Sequence, residues 1–208
     1  MCIRDRFQGQ EFAASSPFLY FADFEPELAA GVKRGRAEFL AQFPSVASFQ
    51  RSAALDDPGD VRTFERCKLD FAERTRHAEI YVLHQDLLRL RHDTNAWNAR
   101  HRHRLDGAVL STESFVLRAF GGEPFDDRAL IVNLGGDLRR TSFAEPLLAP
   151  PQGCEWMVEW SSEDPRYGGG GAPPLWEGGP WRIPGRSATV IAPRTCAATR
   201  KPIRRRTA

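Results

Sequence analysis

The chain has 208 residues, enough for one large domain or two small ones, and its 41% apolar and 27% charged residues are ordinary for a folded, water-soluble protein. Net charge is +2, but Arg200, Lys201, Arg204, Arg205 and Arg206 crowd the last nine positions and leave 24 bases against 27 acids elsewhere, so the body lacks the basic face that nucleic-acid binding needs. No apolar run nears the ~20 residues of a membrane helix, no signal peptide is visible, and Cys2, Cys67, Cys154 and Cys196 form no C-x-x-C pair; together these point to a cytoplasmic protein with reduced thiols and no membrane partner.

Residues 1–6 (MCIRDR) carry neither capping nor strand logic and resemble the translation of a sequencing adapter. Phe7 is read as the end of a strand, followed by a glycine-containing loop and the aromatic run Phe18, Leu19, Tyr20, Phe21. Pro26, behind the acids Asp23 and Glu25, opens a helix that reaches about Phe43, with Leu28, Val32, Phe39 and Phe43 on its apolar face and Pro44 as its stop. Residues 45–62 form a loop holding the turn Asp56, Asp57, Pro58, Gly59, and 63–67 form a short helix. A long helix is expected over about 71–91, with Ile80, Leu83, Leu87 and Leu90 as its buried stripe.

After Asp93 the apolar period changes from 3.6 to 2. Strands are expected at 107–110, 114–120, 128–134, 155–160, 181–184 and 187–191, with Trp156 and Trp160 on one face of the fourth. Helices first and antiparallel strands second make an α+β chain whose second part reads as a β-sandwich, with a boundary near residue 93.

His77, His84 and His92 lie seven and eight residues apart, about 10 Å along a helix, which is too far to share a metal. His101 and His103 lack a third ligand, and the run 168–171 (GGGG) lacks the Lys-Ser/Thr of a phosphate loop. Cys67 and Cys154 have no base beside them and read as packing residues. No metal and no cofactor are expected. Carboxylates remain. Glu11 and Asp23 flank a loop rich in aromatic rings, and rings stack on the apolar face of a pyranose while carboxylates bind its hydroxyls. The structural alternative makes Asp23 a helix cap and Glu11 a loop ion pair. Glu163 and Asp164, after a later strand, fit a surface turn.

Three stretches carry a family resemblance. Residues 9–23 (GQEFAASSPFLYFAD), 64–71 (FERCKLDF) and 160–169 (WSSEDPRYGG) occur in the order of three segments of the malto-oligosyltrehalose trehalohydrolases, glycoside hydrolases of the α-amylase superfamily, and the resemblance extends over about 8–192. It implies the last elements of a (β/α)8 barrel over 7–93, a C-terminal β-sandwich over 94–193, and a basic tail over 194–208 with no family counterpart. It implies cleavage of the α-1,4 bond next to the terminal trehalose unit of maltooligosyl trehalose, with retention, by a pair of carboxylates ~5 Å apart. No counterpart of the family's catalytic motif is found in this chain, so the resemblance puts the catalytic carboxylates upstream and assigns none here. Glu11, Phe21 and Asp23 remain as residues near the sugar, because barrel sites lie at the C-terminal ends of the strands. Gln10 and Phe24 depart from the Glu and His usual at those two places. The maltodextrin-type substrate is the expected partner. Two rival readings are the tail of another α-amylase-type enzyme, such as a glycogen branching enzyme, and a non-catalytic carbohydrate-binding β-domain.

Overall fold

A computed structural model describes residues 7–44, 56–94, 97, 104–176 and 179–196. The adapter-like start, His101, His103 and the basic cluster from Arg200 onward lie outside these residues. The chain divides into two compact units, Met1–Ala78 and Glu79–Ala208.

The first unit is helical. A short 3-10 turn, Gln10–Phe12, replaces the strand end expected at Phe7, whose ring is 59% exposed and stacks edge-on against Phe18. Helix α1 (Pro26–Leu40) opens with its proline in the first turn, where the missing N–H costs nothing. It ends at Leu40, short of the expected Phe43, and buries no residue; Leu28 and Phe39 stand 55% and 56% exposed, so its apolar face is open. Helix α2 (Val61–Cys67) is capped by Asp60, whose carboxylate accepts from the Arg62 N–H at 2.8 Å.

The long helix read from the 3.6 period is two helices, α3 (Glu73–Arg76) and α4 (Ala78–Asp93). His77 breaks it with φ −113° and ψ 42°. Its ring Nδ1 lies 2.9 Å from the Phe12 carbonyl, a tertiary bond that periodicity cannot register. From Glu79 onward α4 is grouped with the strands.

The second unit holds a five-stranded antiparallel sheet in the order β1-β2-β3-β7-β5, built from β1 (Leu105–Ser111), β2 (Ser114–Ala119), β3 (Arg128–Asn133), β5 (Cys154–Ser161) and β7 (Ser187–Thr195). A two-stranded antiparallel ribbon pairs β4 (Leu138–Arg140) with β6 (Trp181–Ile183). Strand β7 runs to Thr195, two residues beyond the expected end of the sandwich, because Arg194 and Thr195 still pair with Glu155 and Cys154.

Alternation places Val116, Ala129, Ile131 and Ile191 on one sheet face, all at most 1% exposed, where Leu138, Ile183 and Trp181 of the ribbon pack over them. Leu130 and Val190 point the other way and line a groove with Leu87 and Leu90 of α4. A buried ion pair braces the sheet: Arg118 and Asp127 meet at 2.7 Å with side chains 7% and 8% exposed. Arg118 also donates to the carbonyls of Leu147 and Ala149, and Asp127 accepts from the Gly121 N–H, so both charges carry further hydrogen bonds besides their contact with each other.

The expectation that Trp156 and Trp160 share a face fails at a β-bulge. Val158 pairs with Ile191 and Trp160 with Val190, leaving Glu159 as the extra residue. Four steps along β5 then match three along β7, and side chains change face with each odd step. Trp156 packs on the core side, while Trp160 lies in the groove beside Leu87 and Leu90. The bulged Glu159 is held by Arg128 at 2.6 Å.

Candidate functional site

In the first unit, the chain from Gly9 to Asp23 is fastened to the segment that runs from Pro58 to His77. Gly9 adopts φ 82°, and a Cβ there would come within 2.6 Å of the Ala14 Cβ, so the turn that presents Glu11 requires glycine. Phe12 is fully buried and anchors this turn.

Beyond it, the Ser15 N–H and hydroxyl both donate to the Glu73 carboxylate, at 3.0 and 2.6 Å. These bonds, the hydroxyl's first, hold the Glu73 carboxyl below its ordinary value of 4.5. The Ser16 hydroxyl donates to the Lys68 carbonyl at 2.7 Å, the Leu19 N–H points to the Cys67 sulfur at 3.3 Å, and the Ala22 N–H donates to the Pro58 carbonyl at 3.0 Å. Cys67 is therefore a packing and hydrogen-bonding residue rather than a nucleophile with a base. The two stretches that carry the first two resemblances are thus bound side by side in space.

Phe21 is half-buried and packs on Phe64 with ring centroids 5.1 Å apart, and the Lys68 ammonium lies 4.9 Å from the Phe64 centroid. Glu11 is half-buried on the 3-10 turn. Asp23 is exposed in the extended stretch before α1. Among the described residues neither carboxylate makes a hydrogen bond or ion pair, and no bond or ring contact joins Glu11, Phe21 and Asp23 to one another. Position Ncap of α1 belongs to Glu25, with no side-chain bond, so Asp23 does not cap the helix in this structure. Two open carboxylates and an aromatic pair can bind hydroxyls and a sugar face. No acid–base pair with a shared proton is assembled by them.

The three histidines among the described residues do not form a centre. His77 bonds the Phe12 carbonyl, His84 the Ile80 carbonyl, and His92 the neighbouring Asp93. No cluster of three metal-binding side chains occurs among the described residues. No helix among them is long and apolar enough to cross a membrane.

In the second unit, the stretch 160–169 is a clasp. The Trp160 indole donates to the Tyr167 oxygen at 3.2 Å, and the Tyr167 hydroxyl donates to Asp86 of α4 at 2.7 Å. Arg166 adds a second bond to Asp86 at 2.9 Å. The Tyr167 bond, more than the charges of Arg166 and Arg89, draws the Asp86 carboxyl below its ordinary 3.8, and burial pushes the Tyr167 phenol above 10.0. Gly168 caps the 3-10 turn Pro165–Tyr167 at φ 80°, and a Cβ on Gly169 would overlap the Glu163 backbone. The 163–164 acids thus serve a structural turn: Asp164 caps it by accepting from the Arg166 N–H at 2.9 Å.

A larger opening lies along the edge strand β5 of the same unit, a cleft of about 890 Å3 lined by Trp156, Leu175, Trp176 and Trp181, with Glu155 of β5 and Arg194 of β7, from the other sheet face, among its polar residues. Trp176 belongs to no alternating run, so periodicity does not single it out; its sequence context is Pro173, Pro174 and Leu175.

No family model matches the chain. It is 38% identical over 139 residues to the malto-oligosyltrehalose trehalohydrolase of Deinococcus radiodurans, a match covering 64% of this chain and 21% of that protein. It is 41% identical over 90 residues to the enzyme of the same name from Mycobacterium tuberculosis (strain CDC 1551 / Oshkosh), covering 42% of this chain and 15% of that one. The chain therefore spans about a fifth or less of the length of the curated relatives it matches. In three dimensions it resembles a crystal structure from Salmonella typhimurium described as that of an alpha amylase, with TM-score 0.59, 22% identity, and coverage of 89% of this chain and 27% of that one. By sequence the chain is similar to proteins named malto-oligosyltrehalose trehalohydrolase over part of its length, and its helices and antiparallel sheet share their fold with part of the Salmonella typhimurium structure.

Proposed function

We propose that the chain is the C-terminal part of a retaining glycoside hydrolase that cleaves the α-1,4 bond next to the terminal trehalose unit of maltooligosyl trehalose, releasing trehalose in the cytoplasm. The observation that carries this reading is the 38% identity over 139 residues to a protein named for that reaction. On this reading residues 7–93 supply the last elements of a (β/α)8 barrel, whose usual size of ~250 residues far exceeds them. Residues 94–193 are the β-sandwich that follows. The paired carboxylates of the retaining mechanism are supplied by the part of the enzyme that precedes these residues. Glu11, Phe21 and Asp23 contribute to the sugar site, the aromatic pair Phe21 and Phe64 supporting a ring and the two open carboxylates accepting from hydroxyls. The open apolar face of α1 is in keeping with a helix whose partner strands belong to the rest of the barrel.

The test joins this chain to the upstream portion of the Deinococcus radiodurans relative, in place of that protein's own matching segment. The folded fusion is expected to release trehalose from maltooligosyl trehalose, and the 208-residue chain alone to release none. A folded fusion that cleaves maltodextrin without releasing trehalose overturns the substrate assignment. Trehalose release by the chain alone overturns the placement of the catalytic carboxylates.

A further inference from the structure

The cleft in the second unit has features that a structural β-domain does not require. Three indoles line it, and two are fixed from behind. The Trp156 Nε1 donates to the Leu148 carbonyl at 2.8 Å, with the Arg118 guanidinium 5.1 Å from its ring centre. Trp181 meets Phe143 edge to face, with centroids 5.9 Å apart. The third, Trp176, is 54% exposed beside Leu175, which is 5% exposed and anchors that stretch in the core. At about 890 Å3 the cleft falls within the ~300–1,000 Å3 typical of small-molecule sites.

Its polar residues decide what it suits. Glu155 and Arg194, paired across β5 and β7 at 2.7 Å, both line it with side chains 37% and 60% exposed. An apolar helix or loop laid into the cleft would strip water from this pair without replacing its hydrogen bonds, which is costly. A pyranose does not have that conflict. Its axial C–H groups carry partial positive charge and rest on the negative faces of indoles, while its equatorial hydroxyls point sideways to donors and acceptors. Fixed rings with an ion pair at their edge match that division.

We propose that this cleft is an auxiliary carbohydrate site that holds a linear α-1,4-glucan on the sheet unit, separate from the residues around Glu11 and Asp23. The choice of an α-1,4-glucan rests on the glycosidase reading above; the carbohydrate chemistry rests on the cleft. Trp176 is the open stacking platform, and the Glu155–Arg194 pair fixes the hydroxyls. The site would retain a glucan on the enzyme between encounters with the chemistry, so its loss weakens binding to long chains more than it slows the cleavage of short ones.

The experiment titrates the 208-residue chain with maltoheptaose by calorimetry, with cellohexaose as comparison. Saturable binding of maltoheptaose is expected, and Trp176→Ala and Arg194→Ala should each weaken it roughly ten-fold or more. Trp176 is largely exposed, so its variant keeps the fold, checked by an unchanged melting temperature. Maltoheptaose binding that is absent, or that survives both substitutions, overturns the proposal. So does uptake of the apolar dye anilinonaphthalene sulfonate without sugar binding, or a dimer that Trp176→Ala dissociates, since either shows an apolar occupant. Equal binding of cellohexaose overturns the α-1,4 preference alone. A trehalose-releasing fusion built on a chain that binds no maltoheptaose would remove this site and leave the proposed reaction standing.

Discussion

The Tyr167 hydroxyl donates to the Asp86 carboxylate at 2.7 Å across 81 residues of sequence, tying the turn after β5 to helix α4. The Tyr167 bond draws the Asp86 carboxyl down, while burial first and the Asp86 bond second push the Tyr167 phenol up. Asp86 sits below 3.8, so its contribution to stability is present above that value and is lost as pH falls through the lower folded one. Tyr167 sits above 10.0, so its contribution is present below that value and is lost as pH rises through the higher folded one. The clasp thus holds fully between about pH 4 and pH 10.

Melting temperature measured across pH checks this directly. Tyr167→Phe is expected to destabilise the chain by about 1.5–3 kcal/mol at neutral pH by removing the hydrogen bond to the charged Asp86 together with the one accepted from the Trp160 indole. The variant should also lose the part of the alkaline decline that Tyr167 contributes. An alkaline limb unchanged in Tyr167→Phe contradicts the assignment.

The buried Arg118–Asp127 pair makes a larger demand. Asp127→Ala leaves the Arg118 guanidinium in the core with only carbonyl partners and should cost about 3–5 kcal/mol in chemical denaturation. Replacing both residues together with apolar side chains of similar volume should cost much less than the single change.

Gly169→Ala places a methyl against the Glu163 backbone, which cannot move aside as a flexible side chain could. A loss of roughly 1–3 kcal/mol is expected. Gly170→Ala, where a Cβ meets nothing closer than the tip of the Glu163 side chain at 4.0 Å, should be nearly neutral by comparison.

In the active fusion, Asp23→Ala should lower kcat/KM roughly ten-fold or more through a lost bond from a sugar hydroxyl to a charged group. Melting temperature should stay put, because Asp23 is exposed and Glu25, not Asp23, stands at the helix N-cap. Glu163→Ala, in the turn after β5, should leave turnover unchanged. A fall in stability without a fall in kcat/KM would make Asp23 structural.

The strands were legible because alternation of apolar residues over five or more positions is a strong local signal; β2 and β3 are found within one residue of where the pattern places them. Strand β4, with Leu138, Arg139 and Arg140, is too short to alternate and was missed. The helix break at His77 and the flip between Trp156 and Trp160 were invisible for a common reason: each depends on a partner distant in sequence, the Phe12 carbonyl in one case and the register of β7 in the other. Of the candidate site, Phe21 found an aromatic partner 43 positions away that its motif did not specify, while Glu11 and Asp23 stand open. The cleft escaped because Trp156, Trp176 and Trp181 come from three separate elements.

The bulged strand β5 gives the molecule two optical reporters on one strand. Trp156 senses the cleft and Trp160 the helix groove, with the sheet between them as a partition. A maltodextrin entering the cleft should alter the emission of Trp156 and leave that of Trp160 untouched, whereas loosening α4 should do the reverse. Removing Glu159 would restore strict alternation and leave three steps from Trp156 to Trp160, an odd number, so the two indoles should stay on opposite faces and their signals stay separate.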